Sequence, residues 1–407
     1  MPYYPDASEW LVGGEKPTFS QVPGLLSETL TWEKNRTWDI GFDWGLFNNR
    51  LTGSFDYYNR KTIDMVGPGP EVPDVLGTTA PTTNNVSMTS RGWELGITWR
   101  DRIGDFYYSV TGSLYDHTTT IDDYPNPNKS LNSKYYPGMK LGEIWGYESN
   151  GLARSKDQMN AHLDALDEAY TNFHGQAPSA PHRGQIALGN GWTAGDLMFV
   201  DQNGDGVINN GDNTANNPGD MKVIGNNTPR YCFGLTLEAQ WKGFDLKVFF
   251  QGVGKRDHRP RSWSTFFGCS TIDEWHCTVY EPHLDYFRDV DTEDPLGPNV
   301  DAYYPRVFMD NGNGPQNHKA NTTYLQNAAY CRLKNVTIGY TVPQSLTRKI
   351  FIEKARVFVS GENLATITKF TKMGDPELLD TYYATDLGIG RCYPLSKVFS
   401  CGVNITF

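Results

Sequence analysis

The chain has no apolar run approaching the roughly 18 residues that a membrane-crossing helix needs, and its mean hydropathy is -0.54. Helical membrane spans are therefore not expected, whereas strands that cross a bilayer carry too weak an apolar signal for hydropathy to detect. Positive charge is also scarce, with Lys+Arg 36 against Asp+Glu 47 and a net charge of -11. A nucleic-acid binder needs basic surface to displace phosphate counterions, so that class is set aside. Among the 6 cysteines there is no CxxC pair, which argues against a zinc ribbon or a small disulfide scaffold. Met1-Pro2-Tyr3-Tyr4 opens without a basic segment and apolar core, so no signal peptide is legible. GxSxG, HExxH and P-loop motifs are missing as well. Acid pairs such as Glu143/Glu148 or Asp291/Glu293/Asp294 have nothing in the sequence to bring them together, so no enzymatic activity is expected.

What the chain has instead is 41 Gly, 23 Tyr, 20 Phe and 11 Trp, a composition that suits a large sheet with tight turns and aromatic girdles. Two-residue alternation is repeated along it. Ile40, Phe42, Trp44 and Leu46 alternate with Asp39, Gly41, Asp43 and Gly45, turn at Phe47-Asn48-Asn49-Arg50, and return on Leu51, Phe55 and Tyr57. Trp93, Leu95, Ile97 and Trp99 lead through a turn at Asp101-Arg102-Ile103-Gly104 to Phe106, Tyr108, Val110 and Leu114. Phe233, Leu235, Leu237 and Ala239 turn at Trp241-Lys242-Gly243 and return on Phe244, Leu246, Val248 and Phe250. A fourth group covers Val336, Ile338 and Tyr340, then Val357 and Val359. The last strand sets Cys401, Val403, Ile405 and Phe407 on one face and Ser400, Gly402, Asn404 and Thr406 on the other.

Short turns join these pairs on one side and tens of residues separate them on the other, the rim pattern of an outer-membrane barrel. The fold expected is all-β, an antiparallel transmembrane β-barrel with long extracellular loops. About ten strands are readable, against about 22 in plugged outer-membrane transporters, so residues 1–407 are read as the C-terminal part of such a barrel. The polar faces (Asp39, Asp43, Glu94, Thr98, Thr236, Glu238) would line the lumen. One loop helix is expected from Ser155 to Tyr170, opened by a capping-box pattern at Ser155 and Gln158, with Met159, Leu163, Leu166 and Tyr170 on one face.

Several stretches resemble the SusC-like (SusC/RagA) branch of TonB-dependent outer-membrane transporters. They are Leu30-Thr31-Trp32-Glu33-Lys34 with Ile40-Gly41-Phe42-Asp43, the hairpin from Gly45 to Leu51 with Asp56-Tyr57-Tyr58, Arg91-Gly92-Trp93-Glu94-Leu95, and Gly142 to Leu152. Further on come Gly195-Asp196, Phe244 to Gly252, Cys331 to Val336, Gly339-Tyr340-Thr341-Val342-Pro343, Gly361-Glu362-Asn363-Leu364 and Asp375-Pro376-Glu377. The resemblance implies import of large nutrients, mostly glycans and sometimes peptides, across the bacterial outer membrane. It also implies a SusD-like surface lipoprotein as lid and energy from TonB of the TonB-ExbB-ExbD system. The family's plug, N-terminal extension and first barrel strands have no counterpart here.

The sharpest local motif runs from Asp201 to Asp212. Oxygen ligands at Asp201, Asn203 and Asp205, a glycine at Gly206, a backbone carbonyl at Val207, Asn209 and an acid at Asp212 follow the spacing of a calcium loop. The bland alternative is a metal-free loop in which the same side chains cap backbone N–H groups. Structural Ca2+ is expected. Cys269, His276, Cys277 and His283 fit no common zinc spacing, leaving a Cys269–Cys277 disulfide or two free thiols. Loop aromatics offer flat faces to sugars, and Trp145, Tyr147, Trp263, Trp275, Tyr303 and Tyr304 are the candidate substrate contacts, with Phe266 and Phe267 beside them. The rival class is a secreted calcium-stabilised β-rich glycan-binding or adhesin module, which would need a polar outer face.

Overall fold

The computed structural model describes residues 5–7, 13–16, 18–20, 27, 28, 30–69, 80–260, 266–268, 279–307, 314–380, 393 and 395–407. Nine strands form one antiparallel sheet: β1 (Lys34–Leu46), β2 (Leu51–Gly67), β3 (Thr83–Ile103), β4 (Phe106–Asp123), β5 (Arg230–Trp241), β6 (Phe244–Lys255), β7 (Tyr330–Thr341), β8 (Lys354–Thr368) and β9 (Val398–Thr406). Their order in the sheet is their order in the chain. That is a meander, the simplest way for hairpins to pair with their neighbours.

The turns match the chemistry expected of them. Phe47, Asn48 and Asn49 all have positive φ, and between β5 and β6 both Lys242 and Gly243 do, as a two-residue hairpin turn that follows strand twist requires. Between β3 and β4 the turn falls two residues later than the sequence suggested. Gly104, at φ 59, takes the left-handed position and Ile103 stays in the strand. At the opposite end the connections are long, from 124 to 229 between β4 and β5 and from 256 to 329 between β6 and β7.

Register carries the alternation across strands. Tyr108, Ala239, Leu246, Ile338, Val359 and Cys401 are successive partners across β4 to β9, and every one is apolar or weakly polar. One residue along, Ser109, Glu238, Lys247, Thr337, Ser360 and Ser400 form a row that is polar throughout. A one-residue slip in any strand would break both rows at once. Within the polar face Lys247 pairs with Glu238 at 3.0 Å and the Thr98 and Thr111 hydroxyls meet at 3.1 Å. The apolar rows are not covered by protein: Ile338 is 49% and Val359 54% exposed. Strand glycines are covered on both faces, Gly402 on the polar side and Gly252 on the apolar side. The Phe358 ring lies across Gly402 and the Phe233 ring across Gly252, where a Cβ would come within 2.5 Å and 2.4 Å of the ring. These are aromatic covers for otherwise bare backbone.

The chain divides into two compact units. The first comprises Met1–Trp38, Asn59–Ser90 and Thr119–Met139. Within it, Asn84 bonds the Thr31 backbone in both directions, and Asn126 ties Ser130 and Tyr135. The second comprises Asp39–Tyr58, Arg91–Thr118 and Lys140–Phe407, and holds the main hydrophobic core. That core lies among the long connections: Met159, Leu163, Leu166, Leu197, Phe199, Ile208, Phe266, Phe267, Tyr304 and Tyr324 are all buried in it.

Candidate functional site

Helix α1 (Lys156–His174) anchors the loop assembly. Ser155 caps it, its Oγ accepting from Gln158 N at 3.2 Å, while Gln158 Oε1 reaches back to Arg154 N at 2.8 Å. Gly175, at φ 71, ends it four residues beyond the predicted Tyr170. Met159, Leu163 and Leu166 are buried as their helical spacing predicts, whereas Tyr170 is only partly covered. Ser155→Ala should cost about 1 kcal/mol of local stability, read as a roughly fivefold faster amide exchange in the first turn of α1.

The Gly142–Leu152 motif forms two short strands. Glu143–Tyr147 pairs with Met221–Asn226, and Ser149–Leu152 pairs with Leu197–Phe199. The Tyr147 backbone also bonds Ala320 and Thr322 at 2.8 Å and 3.1 Å. Two buried polar knots lock these segments. Asp196, fully buried, accepts from Arg306 Nε at 2.9 Å, Asn317 Nδ2 at 2.9 Å and Thr193 N at 3.0 Å. Gln185, also fully buried, accepts from Phe199 N at 2.6 Å and lies 3.1 Å from His162 Nε2. Burial pushes the His162 imidazole pKa down, so the ring favours its neutral form.

The Asp201 loop is closed by its own side chains. Asp201 accepts from Gly204 N at 2.6 Å and Gly206 N at 2.8 Å, Asp205 Oδ1 from Val207 N at 2.8 Å, and Asn203 Oδ1 from Asp205 N at 2.9 Å. Gly206, at φ 78, abuts the α1 backbone at Leu166 and Tyr170, where any side chain would collide. Asp212 lies apart, its Oδ2 accepting from Asn217 Nδ2 at 2.8 Å. The reason is a short excursion from 212 to 218, pinched where Gly211 and Gly219 touch backbone to backbone. Beyond the pinch Asp220 returns, fully buried, and accepts from Gln202 N and Asn209 N at 2.8 Å each. Burial first, then repulsion from Asp201 and Asp205, raises its pKa above the usual carboxylate range. Counting along the chain missed Asp220, and only the paired Gly211 and Gly219 hinted at it. Among the described residues no three His, Cys, Asp or Glu side chains are gathered closely enough to hold a metal in this arrangement.

The candidate aromatics separate by burial. Tyr147 and Tyr304 are core residues, stacked edge-on against Phe199 and Phe266, and so have no face for a ligand. Phe266 and Phe267 are buried with them. Burial raises the Tyr147 hydroxyl pKa to about 12. Tyr303 keeps 38% of its surface, its hydroxyl accepting from Gln326 Nε2 at 2.6 Å, and Trp145 is half-buried. Trp263, Trp275, Cys269, His276 and Cys277 lie outside the described residues. His283 is described and buried, its Nδ1 accepting from Tyr280 N at 3.0 Å. Cys232, Cys331 and Cys401 are free thiols.

Two sequence motifs distant in the chain meet at the loop end of β7. Arg332, almost fully buried, donates to Asp375 Oδ1 and Glu377 Oε2 at 2.7 Å each and to Thr366 Oγ1 at 2.8 Å. Lys334 reaches the other Glu377 oxygen at 2.8 Å. On the neighbouring side Arg230 forks onto Asp116.

The family description "TonB dependent receptor-like, beta-barrel" matches residues 5–253. The chain belongs to this family. A TonB-dependent receptor, P3, of Formosa agariphila is 26% identical over 412 residues, covering 98% of this chain and 36% of its own length. SusC of Bacteroides thetaiotaomicron is 24% identical over 389 residues, covering 95% of this chain and 33% of its own. The RagAB peptide importer in its open-open state superimposes with a TM-score of 0.67 at 20% identity, over 100% of this chain and 38% of that one, and shows the same fold. This TonB-dependent receptor barrel therefore spans about a third of the length of the curated relatives it matches. Membership places it in the bacterial outer membrane. The uncovered apolar rows are then its lipid face, and Glu238, Lys247, Thr337 and Ser360 look into the lumen. A soluble adhesin would not leave such rows uncovered.

Proposed function

We propose that this barrel portion serves a SusC-type importer of oligosaccharides, working with a SusD-like surface lipoprotein and with TonB. The observation that carries the reading is a pairing of two features in one chain. A lipid-facing apolar band sits below a loop assembly locked by the buried Asp196 and Gln185 knots. A locked platform at the outer rim suits seating of a lid protein. A neutral polyhydroxyl cargo is favoured by the hydroxyls of the polar face, Thr98, Thr111, Thr236, Thr337, Ser360 and Ser400, which exchange hydrogen bonds with sugars at little desolvation cost. Uptake of labelled oligosaccharides and labelled peptides, compared in the source bacterium with and without the gene, tests this. Loss of oligosaccharide uptake alone supports the reading, and loss of peptide uptake alone overturns it.

A structural calcium ion belongs to the same proposal. Asp201, Asn203, Asp205, the Val207 carbonyl and Asn209 would hold it. Asp220, rather than Asp212, would supply the closing acid, because its buried charge is opposed by two neighbouring carboxylates and a cation would relieve that repulsion. The raised pKa fixes the sign. Without calcium the folded loop gains stability on protonation, so its stability is fullest at low pH and falls as pH rises through the raised value. With calcium the order reverses, since proton and cation compete. Protection of the loop from proteolysis by calcium at neutral pH, lost on acidification and in Asp220→Asn but kept in Asp212→Asn, is the expected result. Equal protection with calcium and with chelator would sink the calcium reading.

A further inference from the structure

The connection between β7 and β8 carries an anomaly that barrel closure does not explain. It contains a helical turn, α2 (Gln344–Thr347), a tighter turn over Arg348–Ile350, and then Phe351 at φ 62. A bulky residue in the left-handed region is an outlier, and such a conformation is ordinarily left to glycine or asparagine. Strain of this kind is usually repaid by packing, yet Phe351 is 93% exposed. Phe47, the other phenylalanine with positive φ among the described residues, packs its ring against Trp99 at a centroid distance of 6.2 Å.

The neighbours of Phe351 share its exposure. Leu346 and Ile350, one helical turn apart, are 55% and 64% exposed, while Thr347 between them is buried against the protein. The backbone is satisfied: Phe351 N donates to Arg348 O, Ile352 N to Thr347 O and Val342 N to Ala355 O. The segment is thus built, with its apolar side chains directed away from the barrel wall. Arg348 and Lys349 are exposed on the same turn.

Its place in the sheet says what covers it. Thr341 N bonds Gly243 O at 2.7 Å, and Glu353 N bonds Thr406 O at 2.9 Å. Those bonds put the turn on the short-turn rim, directly below Phe244, Tyr340, Val357 and Val403, which are successive register partners on the lipid face. In a barrel this rim faces the periplasm. The apolar side chains therefore continue the lipid-facing band at headgroup depth, and the two cations stand where lipid phosphates lie.

We infer that residues 344–352 form an interfacial anchor, with Leu346, Ile350 and Phe351 inserted into the periplasmic leaflet and Arg348 and Lys349 on anionic headgroups. Lipid contact would then retain the left-handed Phe351, which is left 93% exposed among the described residues.

The test uses the whole receptor in lipid nanodiscs, with trifluoromethyl-phenylalanine at position 351 read by fluorine NMR. Loss of the signal to a doxyl-labelled phospholipid, with the signal kept in aqueous gadolinium chelate, is the expected result. Loss to gadolinium alone would place the ring in water and overturn the inference. Survival against both agents would bury it in another part of the receptor and overturn it equally. A second arm measures association of spin-labelled phosphatidylglycerol relative to phosphatidylcholine. Arg348→Gln with Lys349→Gln should bring the preference towards parity, and an unchanged preference would remove the headgroup contact from the inference.

Discussion

Arg332→Ala is expected to lower the unfolding free energy by about 3–5 kcal/mol, the usual consequence of stranding buried charges. The guanidinium holds Asp375 and Glu377 at 2.7 Å each, and removing it leaves both carboxylates without it, with Lys334 still on Glu377. The loop containing Asp375-Pro376-Glu377 should detach from the loop end of β7 as a consequence. Urea titration of the receptor refolded in detergent measures the loss, and proteolysis near 375–377 locates it. The interpretation has its own control. In an Asp375→Asn, Glu377→Gln background, Arg332→Leu should recover most of the loss, because no charge then remains unpaired. If the single variant costs less than about 1 kcal/mol, the network is a solvated surface contact and the structural role assigned to it is wrong.

The second large effect separates the two faces of the sheet within one strand. Val359→Arg puts a charge on the lipid face near the middle of β8 and should cost about 2–4 kcal/mol. Ser360→Arg, one residue along, points into the polar row between Thr337 and Ser400 and should be nearly neutral. Refolding yield into lipid vesicles and heat-modifiable gel migration report both. Equal tolerance of the two substitutions would mean that Val359 does not meet lipid, and the assignment of faces would fail.

Much of this was legible beforehand. Alternation placed the four hairpin groups and the closing strand, because a sheet with one wet and one greasy side needs opposite residues at successive positions. The Asn48-Asn49 and Lys242-Gly243 turns were readable, since few residues tolerate positive φ. The helix start was fixed by Ser155, whereas its end at Gly175 lay beyond the last apolar position that the pattern showed. The loop aromatics were less readable. Tyr147 and Tyr304 look like Tyr303 in sequence, and whether a ring is core or surface depends on segments tens of residues away, as with Phe199 on Tyr147 and Phe266 on Tyr304. The acid of the Asp201 loop shows the same limit. Spacing indicated Asp212, and only the fold shows Asp220, beyond the Gly211–Gly219 pinch, accepting from Gln202 N and Asn209 N of the same loop.

What the sequence determined by itself was therefore local: strand, turn, helix start, and the two-faced character of each strand. These depend on backbone sterics and on side-chain period, which neighbouring residues set. Tertiary structure decided which polar residues converge. The Arg332–Asp375 bond and the Asp196–Asn317 bond join residues 43 and 121 positions apart, and the Gln185 knot and the return of Asp220 are long-range enough that spacing did not show them either. It also decided register, which turned the separate alternations of β4 to β9 into continuous apolar and polar rows. The physical reason is that a buried charge or donor takes whichever partner the fold brings within hydrogen-bond distance, and separation along the chain does not encode that distance.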